Sequence, residues 1–449
     1  METTETRAAP AALISADQSH LIHPLHSGSD HAAPLMLTEG RGAILRDAEG
    51  REYIDGLASL WNVNVGHGRT ELAEAAAEQM RRLAYASAYV GFSNEPAVRL
   101  AERLLALAYP KLSGVYFTTG GAESNETAFK MARYYWKRQG RPGKVKIISR
   151  YHGYHGVTLA AMSATGIPTF QAMFAPVVPG FVHIASSYPY RSADSMAEAL
   201  EAALAAEDPE TVAAFIAEPV IGAGGVIPPH PDYFPRIREI CDSAGVLFIA
   251  DEIITGFGRT GRWFALDHWG VHPDLVTFAK GITSAYLPLG GVMVSGEIHR
   301  AITDAPPTER FMHAATYSAH PTCCAVGLRN LDILESEGLV DRAAAMGRRL
   351  LDRLQTLRDL PVVGDVRGLG LMCGIELVED RETKSPALGL GARIVKEARE
   401  RGLITRMRAG QRGDHPIGDV ICLAPPLVVT EAQVERIVEI LRDAISACL

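Results

Sequence analysis

The chain has 449 residues, of which 47% are apolar and 21% are charged. That composition excludes a disordered chain, in which hydrophobicity is low and charge is dense. Lys and Arg total 44 against 52 for Asp and Glu, so the formal charge is −8, and this acidic balance argues against broad binding to a nucleic-acid backbone.

No CxxC spacing relates the six cysteines, which are Cys241, Cys323, Cys324, Cys373, Cys422 and Cys448. So few cysteines in a chain of this length predict reduced thiols rather than a disulfide framework. The sequence shows neither a basic segment leading into an apolar one near its start nor a run of about 18 apolar residues anywhere. We therefore expect a cytoplasmic protein without a membrane segment.

An N-terminal ribbon is expected over residues 43–54, ahead of a region in which two patterns alternate. Short β-branched and apolar runs predict buried strands at 115–118, 145–149, 212–217, 246–251, 275–279 and 292–295. Segments of helical period at 123–138, 195–206 and 233–243 lie between several of them. Strand, crossover helix and strand in succession predict an α/β fold with a largely parallel sheet.

The C-terminal part has a different layout. Long helical patterns at 324–335, 340–357, 390–401 and 431–447 flank short strands at 362–366, 370–376 and 420–423. This order is typical of an α+β domain, with which we expect the N-terminal ribbon to pack. The predicted organisation is an N-terminal segment, 1–69, a large domain, 70–321, and a C-terminal part, 322–449, in which both chain ends form the smaller domain.

The string GFGRTG at 256–261 matches the dinucleotide fingerprint GxGxxG and follows a predicted strand. That interpretation requires the loop to open a helix whose N-terminus holds pyrophosphate. Arg262, Trp263 and Phe264 follow instead, without a helix start signal. The sequence therefore disfavours a nicotinamide site here.

A better anion site is TTGGAESNETAF at 118–129, which follows the strand ending at Thr118. Two glycines allow a tight turn, and Glu123, Ser124 and Asn125 suit a helix N-terminus. The free N–H groups and the positive end of the helix dipole would face one small space. A plain strand-to-helix turn remains the alternative, and no GK[ST] follows that would indicate a nucleoside-triphosphate loop.

Asp251 ends the hydrophobic strand VLFIAD, and Lys280 follows the strand LVTFA 29 residues later. Both side chains are expected at the carboxyl edge of neighbouring strands, where open α/β sheets collect ligands. The alternative is a strand-end carboxylate and a solvated lysine without a shared role. With the anion site nearby, the three groups match the needs of a phosphorylated aldehyde cofactor: an amine, an anion for a ring nitrogen, and a phosphate cradle.

From about Leu37 to its end, the sequence resembles the class III pyridoxal-phosphate aminotransferases, and within them the ω-amino acid and amine:pyruvate transaminases. The motifs DGLASLWNVNVGHGR, TTGGAESNETA, GYHGVT, EPVIGAGG, FIADEIITGFGRTG, FAKG, TYSAHP, DVRGLGL and APPL occur in order. The resemblance implies fold-type I, pyridoxal 5'-phosphate as cofactor, and a homodimer, with dimers able to pair into a tetramer.

The resemblance also implies residue roles. Lys280 matches the lysine that forms a Schiff base with the cofactor, and Asp251 the aspartate that pairs with its ring nitrogen. Tyr154 and Ile253 match the two faces of the ring. Gly121 and Ala122, beside Gly120, match the phosphate donors, and Thr316 a threonine that reaches the phosphate of the neighbouring subunit. His155 and Glu218 lie in family motifs, either touching the cofactor or bracing the site.

For substrate binding, Trp61 lies where amine:pyruvate members of the family place a tryptophan in the pocket wall. The alternative role for Trp61 is packing in the core. Tyr89 or Phe92 would add a second aromatic surface to the pocket. The carboxylate-binding arginine of GABA-type relatives is missing from the run Tyr154, His155, Gly156, Val157. Ala223 stands where glutamate-using relatives carry a glutamate. Both departures indicate pyruvate as the acceptor.

A mobile arginine binds substrate carboxylates in this family, and bidentate guanidinium geometry suits that task. The motif GLITR aligns Arg406 with it, although the long stretch 407–418 leaves Arg408 and Arg412 as alternatives. No metal site is predicted, because Pro24 interrupts any helix that would align His20, His23 and His26.

The sequence thus predicts a transaminase that moves amino groups from ω-amino acids or primary amines to pyruvate by a ping-pong mechanism. The alternatives are another class III member, of the diaminopelargonate or 2-oxoglutarate-dependent type, and an aminomutase, which would keep the substrate nitrogen. A silent cofactor-binding protein is disfavoured because both Lys280 and Asp251 are present.

Overall fold

A computed structural model of the chain describes residues 10–29 and 31–449. Its helices are α1 (Pro10–His20), α2 (Ala58–Trp61), α3 (Thr70–Leu83), α4 (Glu95–Leu107), α5 (Gly121–Arg138), α6 (Leu159–Ala164), α7 (Glu198–Glu207), α8 (Tyr233–Ala244), α9 (Gly296–Thr303), α10 (Pro321–Ser336), α11 (Leu339–Gln355), α12 (Leu390–Glu400) and α13 (Glu431–Ala447). Short 3-10 turns occupy Pro168–Phe170, Pro209–Thr211, Ala265–His268, Lys280–Ile282, Pro307–Glu309 and Thr356–Asp359.

The strands are β1 (Leu37–Arg41), β2 (Ile44–Asp47), β3 (Glu52–Asp55), β4 (Leu112–Thr118), β5 (Lys146–Arg150), β6 (Phe181–Ile184), β7 (Val212–Ala217), β8 (Leu247–Asp251), β9 (Leu275–Phe278), β10 (Gly290–Ser295), β11 (Val363–Gly368), β12 (Cys373–Asp380), β13 (Ser385–Pro386), β14 (Leu403–Ile404), β15 (Arg406–Arg408) and β16 (Val420–Leu423). They form a central sheet and two smaller ones.

The central sheet has the order β4-β10-β9-β8-β7-β5-β6. All neighbouring pairs from β9 to β6 are parallel, whereas β10 is antiparallel to both β9 and β4. The connection from Phe278 to Gly290 contains only the turn Lys280–Ile282. Because a parallel neighbour needs a longer crossover, β10 runs in the opposite direction. The predicted α/β class with a mainly parallel sheet is confirmed.

Helices cover both faces of this sheet. Successive side chains of β7 and β8 point to opposite faces, so Phe215 and Phe248 pack with the residues of α8, and Ile216 and Ile249 with those of α5. Every residue of β7 and β8 is buried. Burial on both faces explains why these strands appear in the sequence as unbroken apolar runs.

The two ends of the chain meet in a smaller sheet of order β1-β2-β3-β14, in which Ile54 lies opposite Leu403 in a parallel pair. A second antiparallel sheet, β11-β12-β16-β15, is flanked by the C-terminal helices. The predicted contact between the chain ends is therefore present. The boundaries 1–69, 70–321 and 322–449 stay a prediction.

The elements that the sequence analysis did not predict include the helices α1, α3, α4 and α9, the short strands β1, β14 and β15, and the four-residue strand β6 of the central sheet. A strand as short as β6 carries too few residues for a period to be recognised. The strand predicted at 370–376 begins only at Cys373, because Gly370 turns the chain with a φ of +56°. All six cysteines are buried free thiols. None of the helices in residues 10–29 and 31–449 has the length and apolar content needed to cross a membrane.

Candidate active site

Asp251 and Lys280 lie at the carboxyl edge of the central sheet. Asp251 is the last residue of β8 and is paired with Thr277 of the parallel strand β9, which ends two residues before Lys280. Both side chains line one cavity of about 540 Å³. The two groups that the sequence singled out are therefore brought together, as the edge rule for parallel sheets predicts.

Three donors hold the carboxylate of Asp251. Its Oδ2 accepts hydrogen bonds from Asn125 Nδ2 at 2.9 Å and His155 Nδ1 at 2.7 Å, and its Oδ1 accepts one from the backbone N–H of Ile253 at 3.2 Å. The bond to Oδ2 requires the proton of the His155 ring to be on Nδ1. The carboxylate is thus fixed in orientation at the edge of the cavity.

Burial lowers the pKa of the Lys280 amine to about 8, although the nearby carboxylates of Asp251 and Glu218 act in the opposite direction. The charge of Arg406 adds to the lowering. A lysine with such a pKa is partly neutral near neutral pH and can act as a nucleophile. Its backbone φ of +47° is a conformation that non-glycine residues rarely adopt, and such strain is concentrated at functional sites.

The anion site predicted at the start of α5 has the expected geometry. Gly120 is the N-cap, no side chain caps the helix, and a Cβ at this position would meet no atom within 4 Å. A Cβ on Gly121 would lie 2.9 Å from Ile253 Cδ1, so a larger residue here would displace the Ile253 side chain from its place at the cavity. The carboxylate of Glu123 folds back and accepts the Thr119 N–H at 2.6 Å. The first N–H groups of α5 can therefore bind a phosphate.

Tyr154 and Ile253 line the same cavity, together with Gly121 and Ala122. Burial raises the pKa of the Tyr154 hydroxyl, which keeps it protonated. Glu218 holds this segment, because its carboxylate accepts the backbone N–H groups of Tyr154 and Gly222, each at 2.9 Å. An amine, a carboxylate, an uncapped helix N-terminus and a pair of apolar faces fit a flat, phosphorylated heterocycle such as pyridoxal phosphate.

Trp61 and Arg406 form another part of the cavity wall. The guanidinium carbon of Arg406 lies 5.1 Å from the centroid of the Trp61 ring, a cation–π contact. The two alternative arginines lie elsewhere: Arg408 donates to Gln411 Oε1 at 2.8 Å, and Arg412 pairs with Glu379 at 2.8 Å. Of the three, the structure brings only Arg406 to the described lining of the cavity.

The cavity of this chain does not contain Thr316, Tyr89 or Phe92. Thr316 is exposed on the loop before α10, and its carbonyl accepts the hydroxyl of Tyr85 at 2.7 Å. Tyr89 lines a separate cavity of about 590 Å³, and Phe92 is exposed. Within a single chain, Tyr89 and Phe92 therefore do not form the second aromatic surface that was expected in the described cavity lining. Phe170 lies beside Tyr154 in that lining, with 5.3 Å between the ring centroids.

Asn125 is a site residue that the sequence reasoning missed. Its Nδ2 donates both to Asp251 and to the backbone carbonyl of His155, at 2.7 Å, so it ties the two together. Both partners are acceptors, which determines the orientation of the amide. The sequence did contain a signal for Asn125, because it lies four residues after Gly121 and therefore on the same face of α5 as the predicted phosphate site. Pro24 and Leu25, which also line the cavity, carried no local signal.

The N-terminal histidines form a stack. The ring centroids of His23 and His31 are 3.9 Å apart, and His23 Nε2 lies 2.9 Å from Asp17 Oδ2. In the part of the chain that the structure describes, no group of three or more His, Cys, Asp or Glu side chains is arranged to hold a metal ion.

A family model described as aminotransferase class-III matches residues 26–445. The chain is 42% identical to the diaminobutyrate–2-oxoglutarate transaminase of Halomonas elongata, over 90% of this chain and 88% of that protein. It is 39% identical to the putrescine–pyruvate aminotransferase of Pseudomonas aeruginosa, over 91% and 90%. The crystal structure of an (S)-enantioselective omega-transaminase from Thermomicrobium roseum has a TM-score of 0.93 and 46% identity, covering 98% of this chain and 99% of that one.

Proposed function

The chain belongs to the class III aminotransferases, enzymes that use pyridoxal phosphate, and on that premise we propose that it transfers amino groups from ω-amino acids or primary amines to pyruvate in a ping-pong cycle. The first half of such a cycle leaves the amino group of the donor on the enzyme and releases a carbonyl product. The second half passes that group to the keto acid.

The choice of pyruvate as the acceptor rests on the charged side chains in the cavity wall. Arg406 is the only guanidinium or ammonium group besides Lys280 among the described residues that line the cavity. Pyruvate has one carboxylate, which Arg406 can bind. A second carboxylate, as in 2-oxoglutarate, would find no further cation among these residues, and taking a carboxylate out of water without a partner is unfavourable.

In this proposal, the cofactor supplies an aldehyde carbon for the amino group and a ring that draws electrons from the adjacent carbon. Lys280 would hold the cofactor through its amine and, when that amine is free, would move the proton that leaves the donor carbon. Asp251 would keep a proton on the ring nitrogen, supported by Asn125 and His155. The start of α5 would bind the phosphate through the N–H groups of Gly121 and Ala122.

A homodimer is part of the proposal. Val90, Phe92 and Met312, which are 91%, 70% and 81% exposed, belong to the two segments that carry Tyr89 and Thr316. Apolar side chains exposed together are typical of an interaction surface. In a dimer, Thr316 would bind the cofactor phosphate of the partner subunit. Light scattering after size exclusion would measure the mass of the particle, and a monomer would contradict this part. The cytoplasmic location stays a prediction.

A 2-oxoglutarate-dependent activity is the second candidate, because one relative at 42% identity is a diaminobutyrate–2-oxoglutarate transaminase. The two candidates are separated by incubating the holoenzyme with a panel of ω-amino acids and primary amines and with either keto acid. We expect alanine to accumulate from pyruvate and little glutamate to form. Preferential formation of glutamate would support the second candidate, and retention of the nitrogen in a rearranged substrate would indicate an aminomutase.

The assignment of Lys280 has a matched control. Lys144 is also buried, and burial lowers its pKa to about 8 as well, but its amine donates to the carbonyl of Pro209 at 2.7 Å, outside the cavity. Lys280→Met should lose turnover by at least about a thousandfold, the range typical for loss of a covalent catalyst. Lys144→Met should keep turnover within about threefold while lowering the melting temperature. Equal effects would contradict the assignment.

A further inference from the structure

The backbone that presents Trp61 to the cavity is strained. Ala58, Ser59 and Trp61 have φ values of +46°, +55° and +58°, and Leu60 between them is also non-helical. None of these residues is glycine, and each such conformation persists only where the surroundings enforce it. We call residues 57–61, which include the irregular short element α2, the tryptophan loop.

The carboxylate of Asp55 holds the tryptophan loop. It accepts the backbone N–H of Ser59 at 2.9 Å and 2.8 Å through its two oxygens, and the N–H of Leu57 at 3.2 Å. The ring of His67 supplies a further contact, with Nε2 2.8 Å from Asp55 Oδ2. Asp55 is completely buried, and its side chain ties together residues that precede and follow the strained turn.

His67 is itself anchored to the scaffold. Its backbone N–H and carbonyl exchange hydrogen bonds with Gly42, each at 2.9 Å. Asp55 ends β3, whose last residues pair with β14, and the N–H of Gly56 donates to the carbonyl of Ile404 at 2.8 Å. The support of the tryptophan loop is therefore continuous with the strand that leads to Arg406.

We propose that Asp55 and His67 are positioning residues that determine substrate specificity by holding the Trp61 ring against Arg406, and so by keeping that guanidinium in place for a substrate carboxylate. The inference rests on the proposed function for the identity of the substrates. According to this inference, two residues outside the cavity lining, Asp55 and His67, help to set the preference between ω-amino acids and plain amines.

Asp55→Asn is the informative substitution. The amide keeps the shape of the carboxylate but has one acceptor oxygen, so its NH₂ group either opposes the Ser59 N–H or faces His67 Nε2, which can accept only if the ring proton moves to Nδ1. In both arrangements Ser59 N–H keeps one acceptor oxygen instead of two. The tryptophan loop then loses at least one of its supports. Trp61 moves away from Arg406, and the loss affects substrates that need the guanidinium more than substrates that do not.

The matched control is Asp47→Asn. Asp47 belongs to the same hairpin and is also buried, and its carboxylate accepts the N–H groups of Glu49 and Arg51, each at 2.9 Å, and the hydroxyl of Tyr53 at 2.8 Å. It holds a turn that does not line the cavity. Its substitution perturbs the same sheet without touching the tryptophan loop.

The experiment compares an ω-amino acid with a primary amine as donors for the holoenzyme. For Asp55→Asn, we expect KM for the ω-amino acid to rise at least fivefold, with kcat and the KM for the amine both within twofold of the unsubstituted enzyme. For Asp47→Asn, both KM values stay within twofold. A parallel rise for both donors, or the same selective rise in the control, would overturn the proposal.

A second pair of variants covers the case in which Asp55→Asn does not fold. His67→Leu removes the donor to Asp55 and should give a selective rise in KM for the ω-amino acid, whereas His67→Gln keeps a donor at the position of Nε2 and should restore the KM. Failure of the glutamine variant to differ from the leucine variant would also overturn the proposal.

A substrate-free measurement separates this proposal from the proposed function. Amide hydrogen exchange at residues 57–61 should become at least tenfold faster in Asp55→Asn, or in His67→Leu, and stay unchanged in Asp47→Asn. If amide hydrogen exchange at residues 57–61 is unchanged in both Asp55→Asn and His67→Leu, the positioning role is wrong, whichever substrates the enzyme uses. If the unsubstituted enzyme fails to use pyruvate, the proposed function falls while the exchange comparison still decides the role of Asp55.

Discussion

Replacing Arg406 with leucine tests the substrate side of the site most directly. The substitution keeps an aliphatic side chain next to Trp61 and removes the only guanidinium among the described cavity-lining residues. A hydrogen bond to a charged group contributes about 1.5–3 kcal/mol. With about 1.4 kcal/mol for each factor of ten, kcat/KM for carboxylate substrates should fall by about 10- to 150-fold.

The assay has to treat the two halves of the cycle separately, because pyruvate also carries a carboxylate. Mixing the holoenzyme with donor alone, and following the absorbance of the cofactor in a stopped-flow instrument, isolates the first half. In Arg406→Leu, ω-amino acids should react much more slowly, while plain primary amines should stay within about twofold. The second half, followed with pyruvate and the aminated enzyme, should slow as the ω-amino acids do.

Arg412→Leu is the control, because Arg412 pairs with the exposed Glu379 and lies outside the cavity lining. An exposed ion pair contributes at most about 1 kcal/mol to stability, so both half-reactions should be preserved. Equal losses for amines and ω-amino acids in Arg406→Leu would refute the carboxylate role. A selective loss in the control would transfer that role to Arg412.

The same substitution has a consequence for pH. Burial is the main reason that the pKa of Lys280 is lowered to about 8, and the charge of Arg406 acts in the same direction. Removing that charge should raise the pKa of Lys280, so a higher pH is needed to free the amine. The pH profile for loading pyridoxal phosphate onto the cofactor-free enzyme, which needs the neutral Lys280 amine, should therefore shift to the alkaline side in Arg406→Leu. A shift to the acidic side would contradict this account of the site.

Two further predictions concern residues outside the described lining of the cavity. Asn125→Leu removes two hydrogen bonds that tie Asp251 to the His155 backbone. The rate of the first half-reaction should fall about tenfold with every donor, and the pH titration of the cofactor absorbance should shift. A loss confined to some donors would contradict this role of Asn125. Burial by itself raises the pKa of Glu376, but the charges of Arg367 and Arg191 and the hydrogen bonds from Tyr188 and Arg191 together outweigh burial, so the pKa lies below its ordinary value. The ionised group therefore stabilises the fold above the unfolded-state pKa and loses this contribution as pH falls through the folded value. Glu376→Gln should lower the melting temperature at pH 7 and flatten its decline in acid, and an unchanged acid profile would contradict this role.

Local patterns in the sequence were sufficient for most strands of the central sheet and for the centre of the site. Asp251 and Lys280 follow buried strands that are recognisable as apolar runs, and parallel strands bring their carboxyl ends to one edge whatever the intervening loops do. The glycines at 120 and 121 mark the start of α5 through the same local logic. In each case, the information is contained in a few consecutive residues, and the resemblance to the class III family assigned the expected chemistry.

The tertiary structure decided the features that depend on contacts between distant segments. It gave β10 its direction, it selected Arg406 over Arg408 and Arg412 for the cavity lining, and it placed Thr316 outside the cavity of its own chain. It also joined Asp55 to the tryptophan loop and Asn125 to Asp251. These contacts depend on how strands and loops pack in three dimensions, and no spacing or period along the chain encodes which of several polar side chains will meet.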